Sequence, residues 1–219
     1  MLAATLLAAA GALVLAAPLG LLSAVFCRYF APRPLAIVYR RLIELLAGVP
    51  SVVYGFWGLV VLAPLIRQLH PPGQSLLAGI LILALMILPT IALMSDAALE
   101  AVPAEHLRAA AALGLSRVAT LTGVAIPAAR SGLIAGAILG AGRALGETMA
   151  VLMVCGNVVR TPRSIFDPVR TLTAGIALEM GDALGDHQSA LFVIGLILLA
   201  FVAALIAAAE ILTRGRLHA

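Results

Sequence analysis

The sequence predicts an all-α fold, a polytopic bundle of membrane-spanning helices. Composition, the length of the apolar runs and the placement of arginine lead to it. Hydrophobic residues make up 63% of the 219-residue chain and charged residues 11%, with a mean hydropathy of +1.14. A soluble domain carries roughly 25% charged residues because its surface faces water, so this chain has too few to coat a globule. A bilayer core about 30 Å thick is crossed by roughly 20 apolar residues of helix. Five runs meet that length: Leu2 to Phe26, Leu42 to Ile66, Leu76 to Met94, Leu133 to Val154 and Ala190 to Ile211. The whole chain, 1–219, reads as a single transmembrane domain.

The first run has no basic residue before Arg28 and is too long for the apolar region of a signal peptide, so it reads as a retained helix. The chain has no Lys, and its net charge of +4 rests on Arg. Arg28, Arg33, Arg40 and Arg41 fill the first connection, Arg108, Arg117 and Arg130 the third, and Arg214 and Arg216 the C-terminal tail. Arg67, Arg160, Arg163 and Arg170 fall on the other side. Positively charged loops stay in the cytoplasm, which places the C-terminus inside and the N-terminus outside. No basic stripe suggests a nucleic-acid partner; lipid is the expected surroundings.

Two connections are long. The inner one, about 96–130, is an Ala- and Leu-rich stretch punctuated by Pro103, Gly114 and Pro127. It reads as two short amphipathic helices with a bend at Gly114. The outer one contains a half-apolar stretch, Leu172 to Met180, too short to span and suited to a re-entrant or interfacial position.

The fourth run carries Gly142-Arg143-Ala144-Leu145-Gly146-Glu147-Thr148. Arg143 lies near its middle, about 15 Å of helix from either end, where a charge costs on the order of 3 kcal/mol. It needs protein or water around it, and Glu147, one turn on, is the expected partner. Gly132, Gly136 and Gly140 repeat every four residues, the spacing that lets helix backbones approach. On an unbroken helix Arg143 and Glu147 share their sector and point into a helix–helix seam. Such a pair either locks two helices or lines a transport path, and intramembrane charges more often do the second. A guanidinium suits an oxyanion cargo.

Gly48-Val49-Pro50-Ser51 interrupts the second run, as a proline kink or as part of a site. Ser51 and Tyr54 are the candidates there, Ser51 also being able to satisfy a freed carbonyl and Tyr54 to serve as a packing aromatic beside Trp57. Glu44 reads as solvated or paired with Arg40 or Arg41. Cys27 and Cys155 read as buried thiols. The histidines have no metal-ligand spacing, no cofactor is expected, and no GxxxxGK[ST] loop occurs. Any ATP hydrolysis therefore belongs to another chain.

At these residues the chain resembles the membrane subunits of ABC importers, whose inner motif runs Glu-Ala-Ala, three residues, Gly, nine residues, Ile-x-Leu-Pro. Arg108-Ala109-Ala110, Gly114 and Val124-Ala125-Ile126-Pro127 follow that spacing, with Arg108 in place of the leading Glu. Leu45 to Gly55 and Gly142 to Val151 resemble the phosphate-specific permeases, the second run being closer to the PstC type than to its PstA sister. Arg170-Thr171-Leu172-Thr173 with Ile176 to Met180 is similar too. Members usually have six spans, and the five here correspond to the second through the sixth. The resemblance implies a type I importer permease fold, a sister permease, a dimeric cytoplasmic ATPase and an external phosphate-binding protein. It implies a phosphate path through Arg143 and Glu147, and ATPase coupling through Arg108, Ala109, Ala110, Gly114, Ile126 and Pro127. A permease for another oxyanion, or an anion transporter that needs no ATPase, are the alternatives.

Overall fold

Helix α5 (Leu76–Glu100) is the axis around which the other spans assemble. The computed structural model describes residues 1–214, with side chains through 207. Five helical stretches among them are long and apolar enough to cross a membrane: Leu2–Phe30, Ser51–Leu69, Leu76–Glu100, Arg117–Gly146 and Asp186–Ala207. The polytopic all-α architecture expected from composition is the one observed.

Helix α1 (Leu2–Val25) packs parallel to α5. Ala4, Ala8, Ala12 and Ala16 recur every four residues and are buried, so one stripe of methyl groups lets the helices close. A Cβ on Gly11 would come within 2.8 Å of Ile80, and one on Gly20 within 2.9 Å of Ile91. Helix α8 (Ile126–Gly146) packs antiparallel on another face of α5. There a Cβ on Gly132, Gly136 or Gly140 would meet Ala98, Met94 or Ile91 at 2.6, 2.8 and 2.8 Å. The glycine repeat is a contact surface, as its spacing predicted. Helix α11 (Asp186–Arg214) packs on α8 and on the short α10 (Leu172–Glu179). Its Phe192, Leu196 and Leu199 are exposed, as suits a lipid-facing helix.

Two expected spans are divided. The run Leu42–Ile66 straddles a break: α2 (Arg33–Ala47) ends at Gly48, and α3 (Ser51–Trp57) starts after Pro50 in extended geometry, φ −59° and ψ 140°. The crossing segment is Ser51–Leu69, α3 continued through a π turn, Gly58–Leu62, into α4 (Ala63–Leu69). The run Leu133–Val154 is divided too. α8 stops at Gly146, Glu147 is extended at φ −69° and ψ 131°, and α9 (Met149–Val154) restarts the helix.

Proline explains two of the three π turns. A proline at position i has no N–H for the carbonyl at i−4 and its ring crowds that carbonyl, and widening the turn relieves both. Pro64 and Pro127, each in a helix that continues, have that carbonyl residue, Val60 and Gly123, inside a π turn, Gly58–Leu62 and Leu121–Ala125, whereas the turn Phe26–Phe30 closes its helix before Ala31, which is extended at φ −71° and ψ 138°. Pro127 therefore does not end a helix, contrary to its reading as punctuation. The helix begins as α7 (Arg117–Thr120) and runs through the π turn into α8. The connection after α5 is thus α6 (Ala104–Ala112), a turn, and the start of that long helix. The bend falls where expected, at Gly114, whose φ of +71° is left-handed and favours glycine. The Gly114 N–H reaches the Ala111 carbonyl and the Leu115 N–H the Ala110 carbonyl, closing the end of α6.

Candidate functional site

The two breaks lie beside each other. α3 packs on α9 so closely that a Cβ on Gly55 would stand 2.8 Å from the Ala150 Cα. Each break leaves backbone groups without helical partners, and side chains fill part of the deficit. Pro50 cannot donate to the Leu46 carbonyl four residues back; the Tyr54 hydroxyl does so instead, at 2.9 Å. Ser51, expected as the residue to satisfy a freed carbonyl, opens α3 half-buried, and that bond falls to Tyr54. Across the second break the Glu147 carboxylate accepts the Ala150 N–H at 3.1 Å, capping α9. The Glu147 carbonyl in turn accepts from the Thr173 hydroxyl of α10 at 2.7 Å. The Leu172 to Met180 stretch is thus an inserted helix with Leu172, Thr173, Ala174 and Gly175 buried, held at its start by the Thr5 hydroxyl, which accepts the Leu172 N–H.

The expected Arg143–Glu147 ion pair is not formed. The break after Gly146 takes Glu147 off the α8 face that carries Arg143, and its carboxylate is used at Ala150. Arg143, in the last turn of α8, donates from Nη1 to the Thr90 hydroxyl of α5 at 2.9 Å. Among the described residues no carboxylate lies within ion-pair distance of it. The seam placement holds, because Thr90 belongs to the helix that receives Gly140. The depth holds as well: Thr90 stands about 21 Å of helix from Leu76 and about 15 Å from Glu100. A half-buried guanidinium thus sits mid-span at a junction of broken helices, with one neutral partner.

The C-terminal end of α5 carries charges that no local sequence pattern connects. Arg28 donates to Asp96 and Glu100 at 2.8 Å each, and Arg40 pairs with the same two carboxylates. Asp96 is buried. The cluster ties the end of α1 and the amphipathic α2 to the helix that leads into α6. Glu44 pairs with Arg41 at 3.0 Å, one of the expected partners. Beyond it, α6 is exposed along Arg108 and Ala109, with Ala110 buried, and Leu113 and Val118 are exposed apolar residues flanking Gly114. Ile126 is half-buried and Pro127 exposed at the start of α8. Of the candidate coupling residues, Arg108, Ala109 and Gly114 form one exposed knuckle with Ala110 buried beneath it, while Ile126 and Pro127 belong to the helix behind it.

At the other end, Arg170 and His187 both meet Glu179, joining the loop before α10 to α11. Asp167 accepts the Arg163 and Ser164 N–H groups and pairs with Arg160. Those N–H groups, with the Arg160 guanidinium, hold its carboxyl below the usual carboxylate range. Cys155 is buried and Cys27 half-buried, both as free thiols. Among the described residues no group of three His, Cys, Asp or Glu side chains could hold a metal ion. Arg216 and the side chain of Arg214, assigned to the inner tail, lie outside the described residues.

Two absences in the sequence reading have physical causes. Thr90 is the only hydroxyl residue between Leu76 and Met94, a signal that was present beside Pro89. The Asp96 cluster joins residues 68 positions apart, and no local pattern announces such a contact.

The family described as "Binding-protein-dependent transport system inner membrane component" matches residues 16–218. The chain is 39% identical to the phosphate transport system permease protein PstC of Mesorhizobium japonicum, over 89% of this chain and 66% of that protein. It is 44% identical to the probable ABC transporter permease protein YqgH of Bacillus subtilis, over 85% of this chain and 62% of the relative. It thus spans a little under two thirds of the length of these relatives. Among solved structures it is similar to an inward-facing MetNI methionine ABC transporter chain, with a TM-score of 0.73 at 20% identity, covering 97% of this chain and 91% of that one.

Proposed function

We propose, on the premise that the chain belongs to the binding-protein-dependent transport system inner membrane component family, that it is the PstC-type permease subunit of an ATP-driven importer of inorganic phosphate. It is a polytopic inner-membrane protein and one part of a multi-subunit ABC transporter. The identity of its partners follows from the same reading: a PstA-type sister permease, a dimeric ATPase on the α6 face and a phosphate-binding protein on the α10 face. The arginine bias supports an orientation with α6 in the cytoplasm and the N-terminus outside. Phosphate is favoured over other oxyanions by relatives named as phosphate transport permeases.

The observation that carries the cargo reading is Arg143 at mid-span, held by a hydroxyl and not by a carboxylate. A buried cation is expensive in a bilayer, and one left unneutralised is suited to meeting a passing anion. Phosphate entering between the two permeases exchanges part of its hydration for the guanidinium fork. Because the helices are broken at Pro50 and Glu147, backbone polar groups are also exposed at this depth. Ser51 and Tyr54 border the path at the first break and Glu147 at the second. Glu147 shapes the site by capping α9. The α6 knuckle, with Gly114 at its end, carries the ATPase stroke into the bundle.

The test is uptake of radiolabelled phosphate by the assembled importer at low phosphate, with sulfate and molybdate as competitors. Arg143→Gln is expected to lower uptake by roughly one to two orders of magnitude with unchanged protein in the membrane. Unchanged uptake would remove Arg143 from the path. Uptake of another oxyanion in place of phosphate would establish the runner-up.

A further inference from the structure

Helix α5 is apolar from Leu76 to Met94 except at Thr90. A threonine inside a helix ordinarily bonds its hydroxyl back to a carbonyl three or four residues earlier. Thr90 instead accepts a hydrogen bond from Arg143 of α8, at 2.9 Å, and among the described residues its own hydroxyl hydrogen has no assigned acceptor. The glycine seam fixes this pairing, since Gly140 seats on Ile91 one residue further along α5. The two helices therefore cannot slide without unseating the guanidinium.

We propose that Thr90 is the positioning partner of Arg143, and that the two form a mid-span oxyanion stop of one guanidinium and one hydroxyl. The inference rests on the phosphate reading above and deepens it. Three properties follow from pairing the arginine with a hydroxyl. The acceptor orients the fork, whose torsions would otherwise be free in the last turn of α8. A neutral acceptor leaves the positive charge undiminished, which a carboxylate would not. A hydroxyl also donates, so its remaining hydrogen can turn to an oxygen of the anion that the guanidinium holds. Glu147 cannot take this part from its present position, because its carboxylate caps α9.

The test uses the complete importer in vesicles, with its sister permease, ATPase and binding protein, and reads both phosphate uptake and ATP hydrolysis stimulated by the binding protein. Thr90→Val keeps the branched shape and removes the hydroxyl; maximal uptake is expected to fall roughly tenfold while stimulated hydrolysis persists. Thr90→Ser, which restores the hydroxyl, is expected to recover most of that uptake. In an Arg143→Lys background, where the fork is already lost, Thr90→Val should lower uptake less than about twofold further, because the two residues act as one unit. Should Thr90→Val fail to assemble, Thr90→Ala carries the same comparison. Wild-type uptake in Thr90→Val, or an equal tenfold loss in the Arg143→Lys background, overturns the inference and leaves the phosphate reading intact. Absence of phosphate uptake by the unsubstituted importer overturns that reading and the inference with it.

Discussion

Arginine is handled in opposite ways at two places along α5. At its C-terminal end, Arg28 and Arg40 are each met by both Asp96 and Glu100. Halfway along, Arg143 is met by a threonine hydroxyl. The first arrangement spends charge on holding α1, α2 and α5 together. The second keeps charge available at the depth where it is most costly to keep. Stability alone would have reversed the two, because the membrane interior is where an unpaired cation most needs a carboxylate. On the proposed reading, the difference separates a fastening from a site.

Reversing the arrangement should have the largest effect. Thr90→Asp would give Arg143 the kind of partner that Arg28 has. Phosphate uptake is expected to fall by more than about 100-fold, since the anion must then compete with a resident carboxylate. Protein level and assembly should be preserved, because the new pair is neutral overall. Uptake near the wild-type rate would show that the charge of Arg143 need not be available.

Weakening the fastening sharpens the comparison from the other side. Asp96→Asn leaves two arginines short of a buried acceptor and is expected to destabilise the bundle by about 2 kcal/mol, read as a lower thermal midpoint in detergent. Glu100→Gln should lower the midpoint far less, because the Glu100 side chain is 62% exposed and surface pairs contribute little. An equal cost at the two positions would show that burial does not set the strength of this cluster.

The smallest effect lies on the α10 face, where Asp167 fastens the loop from Arg160 to Val169. Its pKa is lowered in the folded protein. Its contribution is therefore fully present above the ordinary carboxylate value of about 4 and is lost as pH falls through the lower folded value. Pepsin cleavage of this loop, taken at each pH relative to cleavage of an unfolded reference peptide, should stay slow down to about pH 4 and rise below it. In Asp167→Asn the cleavage should be faster throughout, with that step gone. A wild-type loop with no such step would show that Asp167 does not fasten it.

Much of this was legible because the signals were local. The Gly132, Gly136 and Gly140 spacing gave the α8 seam, and Gly114 gave the inner bend. Pro50 marked the first break because a missing N–H acts wherever the chain goes. The second break had no such mark. Gly146-Glu147-Thr148 contains no proline, and the extended turn there is held by Thr173, 26 residues away. Counting turns along an unbroken helix therefore placed Glu147 beside Arg143, and the chain does not continue that way. Thr90 was passed over for a related reason, since a single hydroxyl in an apolar run takes its meaning from what faces it.

The unbroken run from Arg117 to Gly146 also works mechanically. Arg117 sits at the exposed knuckle and Arg143 at mid-span, with about 39 Å of helix between them. A rod of that length, tilted by about 5°, displaces its far end by about 3 Å, close to the length of one hydrogen bond. On the proposed reading, a power stroke at the knuckle needs no relay of small rearrangements to reach the guanidinium. In that reading the helix is a lever, and its throw is on the scale of the movement that grips or releases an ion.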